Sequence, residues 1–598
     1  MACWRYVHIY QSFNLWKNSI INDIKPNIVF AFADDWGRYA SAYQGRPGEN
    51  SIHELIKTPN FDWVADQGAL FLNAHVPVPS CAPCRSSVLT GRYFWQTGLG
   101  AILEGSIWDE SIPTYPLVLE ENGYHIGFSY KVWGPGIVRD APYGGDRNRY
   151  EPAGRSFDRF SFVVTEASKK LGVEAAKNQI LEEVRENFDS FINDRPDNSP
   201  FCYWWGPTTT HRSWEKGSGK KLWGLDPDLL KGRMPGFMPD VEEIREDFND
   251  YLGECQAVDA GLGVIIERLK AIGELDNTII VVSGDHGIPG FPRAKSNLYN
   301  IGTEVALAVR WPGHVSPGRE ISDFVNIMEV APTFLDVAEV EHPEGMSAKS
   351  LMPILLSKEN GQIDDDRDSV ITGIERHCPN ARDHQLPYPT RSIRTTDFLY
   401  IVNFESDRWP IGAPVGLDGY EFPDTEGHRI AQEGNERKTA LFRPHKPQIK
   451  YYQDMDDGPT KDWMVSNRKE PEVKPLFELS FGKRLGEELY DLRVDPDYMN
   501  NVAMESDYQE IKENLNEKLM SVLIEQEDPR VVESPPRFEN PPFAGPVTKE
   551  YYEDPGFAPH ARVRLDENGD PINDRLSKML ASNDPTSPNY RKNSGLRN

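Results

Sequence analysis

Positive charge is scarce in this 598-residue chain: 65 Lys and Arg stand against 93 Asp and Glu, for a formal net charge of −28. Phosphate backbones are gripped by clustered Lys and Arg, so this balance argues against a nucleic-acid partner. A small basic pocket within an acidic surface stays compatible with a small anionic substrate. No apolar run approaches the roughly 20 residues of a membrane span. The first 25 residues, MACWRYVHIYQSFNLWKNSIINDIK, lack the cationic start, apolar stretch and small-residue cleavage site of a secretory leader. Cysteines number six (Cys3, Cys81, Cys84, Cys202, Cys255, Cys378) and are too scattered for a disulfide scaffold.

What is present is the material of a large globular protein. The chain is 38% hydrophobic and 11% aromatic, and is long enough for two or more domains. PNIVFAFADDWG (Pro26 to Gly37) is an apolar run ending in two acids, which predicts a buried strand that delivers Asp34 and Asp35 at its C-terminal end. NTIIVVSGDHG repeats the design with Asp285 and His286, and PFCYWWGPTTTHR is a third apolar run with polar groups after it. Between them, Ala176, Ile180, Val184, Phe188 and Phe191 make one apolar helical face, and Glu242 to Ile272 reads as a long helix. Strands alternating with helices predict a largely parallel sheet covered on both faces, with ligands gathered at the strands' C-terminal ends. Acids separated by roughly 250 residues are therefore expected to converge there.

Asp34, Asp35, Asp285 and His286 form a hard-ligand set suited to a divalent cation such as Ca2+, the histidine being compatible with Mn2+ or Zn2+ as well. Cys81, in PSCAPCRSSVLTGR, has four readings. It is half of a redox CxxC, a zinc ligand, a buried structural cysteine, or a nucleophile made by modification. The first lacks a thioredoxin-like setting and the second lacks another cysteine pair.

CAPCRSSVLTGR resembles the signature of the formylglycine-dependent sulfatases, in the alkaline phosphatase superfamily, through Cys81, Pro83, Arg85, Leu89, Thr90, Gly91 and Arg92. The strand ending in Asp34 and Asp35, the GYHIGFSYKVWGPG segment with Lys131, THR with His211, GDHG, RAKSNLYNIG with Lys295 and EELYDLRVDP also resemble that family, so the likeness runs from about Lys25 to Ala503. IPGFPRAKSNLY and YPTRSIRT look most like the heparan N-sulfatase (N-sulfoglucosamine sulfohydrolase) branch and bacterial polysaccharide sulfatases.

The resemblance implies an α/β, alkaline-phosphatase-like sandwich: a large, mostly parallel central sheet flanked by helices, plus a smaller C-terminal α+β subdomain with a short antiparallel sheet. Expected boundaries are an extension over 1–24, a catalytic domain over 25–356, a C-terminal subdomain over 357–527 and a Pro-rich surface tail over 528–598. It implies that Cys81 is oxidised by a formylglycine-generating enzyme to an aldehyde (3-oxoalanine) that hydrates to a geminal diol. One Ca2+ would be held by Asp34, Asp35, Cys81, Asp285 and His286. One hydroxyl attacks sulfur in line, and loss of the second hydroxyl's proton expels sulfate and restores the aldehyde. Arg85 and Lys131 would orient the diol, and His211 and Lys295 would bind sulfate and protonate the leaving atom. Arg376, His377, Arg391 and Arg394 are the expected sugar-reading residues of the second domain. Three positions depart from the family pattern: Cys84 replaces Ser, Trp133 stands where many members carry His, and His286 replaces Asn.

The expected activity is hydrolysis of sulfate esters on polysaccharide-derived oligosaccharides such as ulvan, with N-sulfated glucosamine as the second substrate. Trp204, Trp205, Trp214 and Trp223 suit sugar stacking. The family's usual compartment is periplasmic or secreted. The rival activities are a phosphatase or phosphodiesterase of the same superfamily and a non-catalytic binder of sulfated glycans.

Overall fold

The computed structural model describes residues 25–46, 51–104, 106–136, 142–378, 381–420 and 451–539. The expected extension over 1–24 and the tail beyond 539 lie outside the described residues. Seven strands form the large sheet: β1 (Asn27–Ala33), β2 (Ala69–His75), β3 (His125–Tyr130), β4 (Phe201–Gly206), β5 (Thr278–Gly284), β6 (Leu307–Arg310) and β7 (Arg319–Asn326). Their order is β3-β4-β1-β5-β6-β2-β7. β3, β4, β1 and β5 run parallel to one another, as do β2 and β7, and β6 is antiparallel to both of its neighbours.

The apolar runs lack a polar alternation because both faces of the sheet are covered. Ile28, Phe30, Phe32, Trp204, Ile279 and Val281 point into one core, which includes the helix α1 (Cys81–Thr90). Val29, Ala31, Tyr203, Trp205, Ile280 and Val282 point into the other, beneath α2 (Val173–Asn193) and α3 (Glu242–Ala271). The apolar stripe of α2 is the expected one: Ala176, Ile180, Val184, Phe188 and Phe191 are all buried in it.

A second sheet, β11-β10-β9-β8, is antiparallel throughout and comprises β8 (Ser369–Ile374), β9 (Thr390–Thr395), β10 (Phe398–Asn403) and β11 (Glu487–Asp491). Helix α4 (Gln509–Glu525) buries Leu515, Leu519 and Leu523. These leucines join Ile371, Ile393, Leu399 and Leu489 in the same core as Phe30 and Trp204, so the small sheet shares apolar packing with the large one. The first part of the expected tail, 528–539, packs onto the protein. Asp528 is fully buried against Arg391, Arg530 is buried, and Phe538 joins the core. No helix among the described residues is long and apolar enough to cross a membrane.

Candidate active site

Register brings the site together. Ala33 pairs with Gly284, so Asp34–Asp35 and Asp285–His286 leave adjacent parallel strands at the same level. Tyr130 pairs with Gly206, which sets Lys131 level with the loop that leads to His211. Gly284 is required here, since a Cβ on it would lie 1.9 Å from the Trp36 carbonyl oxygen. Asp35 adopts φ 62°, in the left-handed region. Its backbone N–H donates to Asp285 Oδ1 at 2.8 Å, which ties the two strand ends to each other.

α1 begins at Cys81, with Ser80 as its N-cap residue, and every residue of the helix is buried. Four residues on, Arg85 donates from Nε to Asp285 Oδ2 at 2.8 Å and from Nη2 to Asp34 Oδ1 at 3.1 Å. Its Nη1 reaches the Lys131 carbonyl at 2.9 Å. Lys131 Nζ donates to both oxygens of Asp34 at 2.7 Å. Lys295 Nζ lies 3.1 Å from Asp35 and 3.3 Å from Asp456. His286 Nε2 sits 3.3 Å from Cys81 Sγ, and His286 Nδ1 sits 3.2 Å from Asp35 Oδ1. His211, one-third exposed, stands 3.9 Å from Asp35 Oδ2. The expected catalytic and metal residues therefore form one cluster.

Electrostatics divide the two neighbouring acids. Burial opposes the charge on Asp34, but Lys131 and Arg85 overcome it and hold the carboxyl well below the usual range. Burial dominates at Asp35 and lifts it to about 7. Burial, with Asp34 nearby, also raises the Cys81 thiol far above its ordinary value. Lys131 and Lys295 are both raised: burial works against their charge and the aspartates outweigh it.

The donor set fits a divalent cation. Asp34, Asp35 and Asp285 each offer an oxygen within 4.8 Å of the others, and Asp35, Cys81 and His286 meet the same limit. Asp35 Oδ1 is buried 3.1 Å from Lys295 Nζ and 3.2 Å from His286 Nδ1 without an aligned hydrogen bond from either, so it keeps lone pairs for a cation. Among the described residues the candidate metal groups all share Asp34, Asp35 or Cys81, which makes one centre.

Several other expectations resolve differently. Cys81 and Cys84 are both free, and Cys84 is buried in the core and belongs to none of these groups, so the redox and zinc readings of the CxxC find no support in the geometry. Trp133 is buried and donates from Nε1 to Ser86 Oγ at 2.8 Å, bracing α1 from the position where many family members carry His. Trp204, Trp205 and Trp214 are core residues, which removes them from sugar stacking. Trp223 stacks on Phe160 and carries Lys177 Nζ 3.8 Å above its ring.

Of the four expected sugar readers, His377 reaches the cluster, 2.9 Å from Ser80 Oγ, and burial depresses it to about 3. Arg391 is fully buried and spent on Glu375 and Asp528, because its strand faces inward. Arg376 is buried and donates to the Glu104 carbonyl, and Arg394 donates to Asn300 Oδ1. Asp456 was not singled out by sequence; it lies in the acidic loop QDMDDGP, where acids read as solvated.

The sulfatase family profile matches residues 26–340, just over half of the chain, and the profile of the N-sulphoglucosamine sulphohydrolase C-terminal region matches 285–401. The chain belongs to the sulfatase family, the enzymes that hydrolyse sulfuric esters. It is 26% identical over 514 residues to an ulvan-active sulfatase of Formosa agariphila, covering 86% of this chain and 82% of the relative. It is 25% identical over 527 residues to human N-sulphoglucosamine sulphohydrolase, covering 84% and 91%. The fold is shared with the phosphonate monoester hydrolase of Agrobacterium radiobacter at a TM-score of 0.53 and 17% identity, over 84% of this chain and 96% of that one.

Proposed function

We propose that this sulfatase removes sulfate from sulfated carbohydrates, with O-sulfated oligosaccharides of the ulvan type as substrate, using formylglycine derived from Cys81 and one Ca2+. The observation that carries this reading is the bridge made by Arg85 from the Cys81 helix to both Asp34 and Asp285. It supports the reading because it holds the start of the Cys81 helix against two of the acids proposed as metal ligands.

Asp34, Asp35, Asp285 and His286 would hold the cation. Bound there, it supplies Lewis acidity toward the hydrated aldehyde and the sulfuryl oxygens. Lys131 and Lys295 bring two ammonium groups to the same space, where they offset the charge of a bound sulfate. His211 is kept below its ordinary value by burial, and its Nδ1 faces the Arg212 carbonyl at 2.6 Å. That contact assigns the proton to Nδ1 and leaves Nε2 to handle the proton of the leaving atom. Burial keeps an unmodified Cys81 thiol protonated and so a poor nucleophile.

N-sulfoglucosamine is the second substrate reading, favoured by the C-terminal profile over 285–401. A phosphatase of the same superfamily would be expected to use two metal centres, and a glycan binder would have no need of a modified Cys81.

The test is mass spectrometry of the tryptic peptide Thr58 to Arg85 from protein made with a formylglycine-generating enzyme, followed by sulfate release from ulvan oligosaccharides and N-sulfoglucosamine. An aldehyde at Cys81 with sulfate release from the former is the expected result. A thiol at Cys81 with sulfate esters untouched overturns the proposal. Faster turnover of phosphate esters than of sulfate esters transfers the site to the phosphatases.

A further inference from the structure

The cluster is sealed on one side and open on the other. Side-chain exposure is 0% at Asp35 and 3% at Lys295, then 24% at Asp456 and 33% at His211. Cys81 lies at the sealed end, 2% exposed. An in-line displacement puts the leaving atom opposite the nucleophile, so the alcohol or amine that carries the sulfate departs on the open side, past His211 and Asp456.

Asp456 is held firmly at that mouth. Asp454, two residues earlier, accepts the Cys378 N–H at 2.7 Å and pairs with Arg382. The Asp454 N–H donates to the Ile411 carbonyl at 3.1 Å, and Tyr452 N–H donates to the Ala413 carbonyl at 2.9 Å. On the other side Lys461 Nζ donates to the Met455 carbonyl at 2.8 Å, and Thr460 is fastened to Asp247 of α3. A short loop riveted at both ends thus presents one carboxylate next to His377 and Lys295.

That carboxylate has capacity to spare. Among the described residues its one ion-pair partner is Lys295, whose Nζ lies 3.3 Å from Oδ2, and with 24% of the side chain exposed the rest of the carboxylate stays open to the mouth. An ionised carboxylate can accept about four hydrogen bonds. Burial works against the charge, but Lys295, His211 and His377 hold Asp456 far below the ordinary carboxylate range. It therefore accepts hydrogen bonds and has no proton to give to a departing oxygen.

We propose that Asp456 is a specificity-determining residue: it accepts a hydrogen bond from a hydroxyl or amine next to the sulfated position, and it disfavours substrates with a second anion there. This rests on the sulfatase reading of the site. A site built around an acceptor rejects ligands that lack the donor, because the acceptor is then left buried and unmatched. A neighbouring carboxylate or second sulfate meets like charge instead.

The experiment compares wild type with Asp456→Asn and Asp456→Ser, both loaded with Ca2+ and verified as formylglycine forms. Turnover is measured on 4-nitrophenyl sulfate, whose ring bears no neighbouring donor, and on ulvan oligosaccharides and N-sulfoglucosamine. Calorimetric titration with inorganic sulfate and with the desulfated sugars gives a second readout that needs no turnover. The expected result is a fall of at least tenfold in kcat/KM for the sugar that wild type prefers. 4-Nitrophenyl sulfate should change less than threefold, with sulfate affinity unchanged and affinity for the desulfated sugar lost. An equal fall on aryl and sugar sulfates, with weaker sulfate binding, overturns the proposal and makes Asp456 a positioning residue for Lys295. No change on any substrate also overturns it. A wild type that turns over neither class removes the sulfatase reading, and the proposal with it.

Discussion

Arg85 Nε stands 2.8 Å from Asp285 Oδ2, and both side chains are fully buried. Through this pair and the Arg85–Asp34 contact, one guanidinium fixes the helix that begins at Cys81 against the ends of β1 and β5. A guanidinium serves the two carboxylates from separate nitrogens in a fixed planar fork, a geometry that a single ammonium nitrogen at this position does not reproduce. Arg85→Lys should therefore keep the charge and lose the bridge. Turnover of 4-nitrophenyl sulfate is expected to drop by about 100-fold, the scale of losing one preorganised electrostatic contact. Steady-state kinetics with a melting curve on the same preparation checks this. An unchanged kcat would show that the bridge has no catalytic part.

Three carboxylates within 4.8 Å of one another repel when no cation separates them. Chelator-treated protein should melt at a lower temperature than protein with excess Ca2+, by the linkage that gives about 4 kcal/mol at a thousandfold excess over Kd. Asp35→Asn and Asp285→Asn should abolish the Ca2+-dependent part of the shift. Differential scanning calorimetry with and without Ca2+ provides the comparison, and a calcium shift that survives both substitutions would place the ion elsewhere.

Arg391 separates structure from substrate reading. It has no exposed surface, pairs with Glu375 and Asp528, and lies over the rings of Phe94 and Trp95. Arg391→Met leaves two buried carboxylates short of a partner, which costs about 3–5 kcal/mol. The denaturant midpoint should fall sharply while KM of the remaining folded enzyme stays put. A raised KM with unaltered stability would return Arg391 to the sugar-binding residues.

Most of the large sheet could be read from sequence, for a physical reason. β1, β4 and β5 are covered on both faces, so their residues form unbroken apolar runs that end in polar groups, and adjacent parallel strands bring those ends together. Asp34, Asp35, Asp285 and His286 follow from that topology. The fate of Arg391 does not, because it depends on Asp528, 137 residues away, folding back onto the small sheet. Asp456 was missed for a similar reason. Its approach to Lys295 is made by a loop fastened through Asp454 to Arg382 and the Cys378 N–H, and nothing local in QDMDDGP distinguishes it from a solvated acid.

Glu254, midway along α3, gives a pH signature that is independent of the metal. It is 2% exposed, and its Oε2 accepts the hydroxyl of Thr209, two residues before His211. Burial raises it from the ordinary 4.5 to about 7, despite the opposing hydrogen bonds from Ser161 and Thr209. Because the folded state holds this proton more tightly than the unfolded chain, its stabilising contribution is complete below about pH 4.5 and is lost as pH rises through about 7. Glu254→Gln copies the neutral form and does not ionise. Metal-free wild type and variant should be nearly equal at pH 4, with the variant more stable at pH 8 by on the order of 3 kcal/mol. Urea denaturation at the two pH values measures the difference. A gap that stays constant between them would mean that Glu254 is ionised throughout, with the Thr209 loop held by a charged acceptor.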